Sequence, residues 1–255
     1  MGARGGARRR SRRARASVGA AVLVVVGILA LMAVAGGSDD GVAPDTGPTT
    51  GPTTGPTTGP TRGPTRGPSG TTGGDPGSAR ALVDTLVVAG PPPDLAPYRR
   101  DEFGDDWAYD PATGCNTRER VLIDESIVPA VVDDRCHPSS GRWLSVYDDV
   151  TTTDPADLQI DHFVPLADAW RSGADAWTPE RRLAFANDLT SPETLVAVTG
   201  RTNQSKSDST PDQWLPPDRR SWCTYATAWV DVKATWHLTV TPPEKVTLVQ
   251  VLSGC

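Results

Sequence analysis

The chain has 255 residues with 25 Lys and Arg against 31 Asp and Glu, a formal charge of −6, and 37% hydrophobic side chains. Seven of the arginines (Arg4, Arg8, Arg9, Arg10, Arg12, Arg13, Arg15) lie ahead of the first acidic residue, Asp39, so residues 36–255 carry 18 basic against 31 acidic groups, a balance of −13. That balance excludes a protein that grips nucleic acid through an overall positive field; the four cysteines lack any Cys-x-x-Cys pair, which excludes a zinc knuckle.

In chain order, the basic stretch is followed by an uncharged run from Val18 to Ala35. Arginines ahead of such a run are the layout of an export signal or an N-terminal membrane anchor. Ala33-Val34-Ala35 would serve as a cleavage site, whereas the length of the run favours a retained anchor. Either way the remainder is expected outside the cytoplasm, and residues 1–35 form the first segment. Residues 36–78 repeat Gly-Pro-Thr-Thr and Gly-Pro-Thr-Arg. So few apolar side chains cannot offset the ordering entropy, and the segment reads as a disordered spacer with polyproline II character.

Residues 79–255 are long enough for one core. Ser78 before ARALVDTLVVAG predicts an N-capped helix stopped by Gly90 and three prolines, and residues 97–126 read as polar and turn-rich. Val146 with Tyr147, Leu158 to Ile160, and Leu195 to Val198 are candidate strands. Pro165 to Arg171 and Pro179 to Asp188 read as helices opened by proline. Trp222, Tyr225, Trp229, Val232 and Trp236 recur at spacings of three and four, one helix face, which is read as core rather than as a stacking platform. PPEKVTLVQVL closes the chain as a short helix. In an exported domain the even cysteine count predicts disulfides, paired in sequence as Cys115 with Cys136 and Cys223 with Cys255.

Only three histidines occur, and His162 stands beside Asp161 at the end of an apolar run, in QIDHFVPLADAW. A neutral imidazole of ordinary pKa near 6.5 suits a general base, and a carboxylate suits a hard cation. Neither His137 nor His237 has partners at metal-ligating spacing, and both read as surface or structural. Downstream, Asn203 and Lys206 follow the apolar run LVAV.

CNTR at 115–118, IDHFVPLADAWRSGA at 160–174, FANDL at 185–189, LVAV at 195–198, NQSKSD at 203–208 and WLPP at 214–217 together resemble the HNH endonuclease family of exported bacterial proteins, related to the C-terminal domain of GmrSD restriction endonucleases. The resemblance implies an α+β fold with a ββα-metal core, further helices and disulfide staples. It also implies Asp161 and Asn203 as ligands of magnesium or manganese, His162 as the base, Lys206 near a phosphate and Asn187 in support. The asparagine usually found nine residues ahead of the last ligand is Thr194 here, which bears on the efficiency of the site. The function so implied is metal-dependent hydrolysis of nucleic acid, DNA ahead of RNA, with no small-molecule cofactor. The competing readings are a degenerate HNH scaffold, tethered at the surface as a binding protein, and a metallohydrolase of another substrate.

Overall fold

The structure, a computed structural model, describes residues 74–191 and 193–255. The expected anchor in residues 1–35 and nearly all of the Gly/Pro/Thr repeat lie outside these residues. Among the described residues no helix is long and apolar enough to cross a membrane.

The domain is α+β with two disulfides. Helix α1 (Pro76–Thr85) is followed by the short strands β1 (Tyr109–Asp110) and β2 (Cys115–Asn116), then α2 (Thr117–Glu125). Two further small hairpins pair β3 (Val131–Val132) with β4 (Pro138–Ser140), and β5 (Trp143–Ser145) with β6 (Val150–Thr152). Strand β7 (Leu158–His162), helices α3 (Leu166–Arg171) and α4 (Pro179–Ala186), strand β8 (Leu195–Thr199) and α5 (Gly200–Lys206) come next, and α6 (Trp222–Trp236) and α7 (Pro242–Ser253) complete the fold.

Several expectations need correction. Asp75, not Ser78, caps α1: its carboxylate accepts the Ser78 amide at 2.9 Å, and Pro76 occupies the first helical turn. That helix stops at Thr85, because the next residues turn extended and Val88 bridges to Val240. The stretch read as turns contains α2, opened by a reciprocal capping box between Asn116 and Glu119. Val146 and Tyr147 form no strand; they lie in the turn between β5 and β6.

β7 and β8 form an antiparallel pair in which Asp161 faces Val196 across the ladder and His162 faces Leu195. Because side chains alternate along a strand, one face presents Leu158, Ile160, Leu195 and Ala197 to Val121, Leu122 and Trp143, a small apolar cluster. Val196 and Val198 on the other face join the main core with Phe163, Tyr225, Trp229 and Leu248. The aromatic face of α6 is core: Tyr225, Trp229 and Val232 are buried.

A buried ionic centre ties three helices together. Lys233 Nζ on α6 donates to Asp168 Oδ2 on α3 at 2.6 Å, to Ser172 Oγ at 3.1 Å and to the Thr239 carbonyl at 2.9 Å, with Glu244 Oε1 on α7 at 3.3 Å. The disulfides join Cys115 to Cys136 and Cys223 to Cys255. The second spans 32 residues and fastens the chain end to α6. Replacing Cys223 and Cys255 by serine is expected to lower the folding free energy by about 3 to 4 kcal/mol through restored unfolded-state entropy, read as a lower urea midpoint.

Candidate active site

The strand pair β7 and β8 is followed at once by α5, and the three elements form one unit. Helix α5 opens with Thr199 as its cap and lies on the face of β7 that carries Gln159 and Asp161. Two helix positions three residues apart meet two strand positions two apart: Asn203 Nδ2 donates to Gln159 Oε1 at 2.9 Å, and Lys206 Nζ donates to Asp161 Oδ1 at 3.0 Å.

Asp161 and Lys206 are a closed pair. Asp161 is 6% exposed and Lys206 is 0% exposed. Nζ lies 2.8 Å from Oδ2 and also donates to the His162 carbonyl at 2.9 Å, while the Tyr147 hydroxyl donates to Asp161 Oδ2 at 2.7 Å. Burial pushes the Asp161 carboxyl above its ordinary value, against the pull of the Lys206 ammonium and the Tyr147 hydroxyl. Burial also drives the Tyr147 phenol well up, so it stays a donor.

His162 points to the other face. Its Nε2 lies 2.9 Å from the Ala186 carbonyl at the end of α4, and its ring stacks on Trp107 at 5.7 Å and 10°, with Phe185 at 6.1 Å and 26°. A carbonyl only accepts, so Nε2 carries the proton and Nδ1 keeps the lone pair. Burial lowers the ring's pKa to about 3, opposed by the Ala186 contact and reinforced by the positive charges of Arg100 and Lys206. The imidazole is therefore neutral at neutral pH. Arg100, Asp105, Asp106, Trp107, Ala186 and Asn187 line a small pocket of about 70 Å³ beside it.

The remaining sequence candidates divide. Asn187 caps α4: its Nδ2 donates to the Leu183 carbonyl at 3.0 Å and its Oδ1 accepts the Ala108 amide at 2.8 Å. Thr194, at the position where asparagine is usual, donates to Asp188 Oδ2 at 2.9 Å, while Asp188 Oδ1 accepts from the Thr190 amide and hydroxyl. The loop into β8 is thus braced by Asp188 and Thr194. Lys206, expected beside a phosphate, is instead shut inside, because its ammonium is the counter-charge of the buried Asp161.

The donors as they stand do not fit the divalent cation that the resemblance implies. Both Asp161 oxygens already accept from Lys206 or Tyr147, and the ammonium cancels the charge a cation would seek. The Asn203 side-chain nitrogen donates to Gln159 Oε1. Among the described residues no group of three or more His, Cys, Asp or Glu stands in metal-holding geometry. His137 lies between Glu119 and Asp133, 3.2 Å from each, and His237 ends α6.

Sequence reasoning missed Trp107, Tyr147, Gln159 and Asp188. Only Asp188 had a local signal, an aspartate two residues ahead of Thr190 that accepts its amide in an Asx turn.

A family described as GmrSD restriction endonucleases, C-terminal domain, matches residues 131–251. A relative from Arthroderma benhamiae, named an uncharacterized secreted protein, is 43% identical over 178 residues, covering 70% of this chain and 85% of the relative. No solved structure matches the chain.

Proposed function

The chain belongs to the family of the GmrSD restriction endonuclease C-terminal domain, and from that membership we propose that it is an HNH-type endonuclease, cleaving nucleic-acid phosphodiester bonds outside the cytoplasm. The observation that carries this reading is the hydrogen bond between His162 Nε2 and the Ala186 carbonyl. It leaves the Nδ1 lone pair unprotonated and aimed away from the carbonyl, able to accept a proton. In hydrolysis Nδ1 takes a proton from water as the water oxygen bonds to phosphorus. The ester P–O bond breaks, and the departing oxygen keeps the electron pair and gains a proton from solvent.

β7 and β8 pair antiparallel, with α3 and α4 inserted between them, and α5 follows β8 directly, a strand-strand-helix grouping of the kind a ββα-metal unit uses. With Lys206 buried, Arg100 is the exposed cation at the pocket beside His162, and Asp105 and Asp106 on the same rim temper its pull on phosphate. The disulfides and the secreted relative favour an extracytoplasmic site. Attachment to a membrane through residues 18–35 rests on the sequence alone.

The second reading, a degenerate scaffold acting as a surface-tethered binding protein, is favoured by one observation: Asp161 is neutralised by Lys206. Cleavage of plasmid DNA and of a structured RNA by the disulfide-intact protein separates the two. Nuclease function predicts nicking that falls about 10²- to 10⁴-fold in His162→Ala, the usual worth of a positioned base. Magnesium, manganese and chelator arms ask whether a cation displaces Lys206 from Asp161. Equal inertness of wild type and variant in every arm leaves the scaffold reading.

A further inference from the structure

We propose that Trp107 is a positioning residue for His162, holding the imidazole in the orientation that the hydrolysis proposed above requires; the inference rests on that reading. Trp107 lies ahead of residues 131–251, outside the part of the chain matched by the family.

The indole and the imidazole are stacked nearly parallel, 10° apart with centroids at 5.7 Å. Phe185 adds a second near-parallel ring at 26°. An imidazole bound at only one nitrogen can still tilt about that bond. Flat aromatic faces remove the tilt and exclude water from the ring face, so the free nitrogen keeps one direction. The backbone carrying the indole is itself held at the next residue. The Ala108 amide donates to Asn187 Oδ1 at 2.8 Å, and the Ala108 carbonyl accepts the Thr117 amide at 2.9 Å and the Thr117 hydroxyl at 3.3 Å.

Asn187 directly follows Ala186, whose carbonyl takes His162 Nε2. One end of α4 therefore sets both the ring's hydrogen bond and the loop that covers the ring. Gly104 contributes the turn: its φ of +101° suits glycine, and Leu183 lies 2.7 Å from where a Cβ would stand. Trp107 is half-buried and touches the small apolar cluster, so filling space is the competing account.

The experiment compares wild type, Trp107→Leu and Trp107→Phe in DNA cleavage and, at pH 7, in the ¹⁵N correlation spectrum of the histidine rings, which reports the nitrogen that carries the proton. Trp107→Leu is expected to lower kcat about tenfold with KM within twofold, and Trp107→Phe to restore most of it, because a flat ring returns. The spectrum of the leucine variant should show His162 losing its single Nε2-protonated form. An unchanged His162 spectrum in folded Trp107→Leu overturns the proposal, as does a kcat loss that phenylalanine does not rescue. If the wild type is inert yet the leucine variant scrambles the ring, the nuclease reading fails while Trp107 still orients His162.

Discussion

Lys206→Met is expected to lower the folding free energy by about 3 to 5 kcal/mol, the cost of leaving a buried charge without its partner. The ammonium is fully enclosed, and its removal strands the Asp161 carboxylate with the Tyr147 hydroxyl as its remaining side-chain partner. The pair itself is not the source of that figure. Two opposite charges taken from water roughly cancel their desolvation cost, whereas a single one does not. Asp161→Asn combined with Lys206→Met should therefore recover at least half of the loss, since the amide oxygen still accepts from Tyr147 and no charge is stranded. Urea unfolding at pH 7 measures both. A single-variant loss under about 1 kcal/mol would place Lys206 at the surface, where exposed ion pairs contribute little, and would contradict the closed pair.

Acid is expected to unfold the protein through His162. The folded ring has its pKa lowered to about 3 from an ordinary 6.5. Between these values the unfolded chain binds a proton that the folded chain refuses, so the stabilisation is complete above pH 6.5 and is lost as pH falls toward 3. At about 1.4 kcal/mol per unit the whole effect approaches 5 kcal/mol, with roughly 3 kcal/mol gone by pH 4. Carboxylates held low by hydrogen bonds, such as Asp133 and Asp218, act in the same direction. The comparison with His162→Asn isolates the imidazole: the variant should lose about 3 kcal/mol less than wild type between pH 7 and pH 4. Equal losses in the two proteins would mean that His162 is solvated.

Elements whose signal is short-range were legible. The apolar runs at Leu158 and Leu195 are strands, and the three-four spacing of Tyr225, Trp229 and Val232 is a buried helix face. Both disulfides follow the sequential pairing. α2 was missed although its capping box, Asn116 and Glu119, is written in the chain, because the surrounding charges and the nearby glycine read as turn. The first helix began earlier than read, since Asp75 and Pro76 outcompete Ser78 as its start.

The candidate site was legible as a set of residues and not as an arrangement. Alternation along β7 sends Asp161 and His162 to opposite faces whatever the rest of the fold does. The partners on each face come from far along the chain: Lys206 is 45 residues from Asp161, and Ala186 is 24 from His162. Trp107 and Tyr147 reach the same strand from segments with no motif of their own.

By itself the sequence determined the acidic balance, the expectation of export, the sequential disulfide pairing, the strands and helices with local periodicity, and the family resemblance through Asp161, His162, Asn203 and Lys206. Only the tertiary structure decided that Lys206 is buried against Asp161, that Asn203 turns to Gln159, and that His162 is neutral between aromatic rings. The physical reason is that periodicity and capping are set by neighbours a few residues apart, whereas burial, counter-charge and ring stacking depend on groups brought together by the closed core.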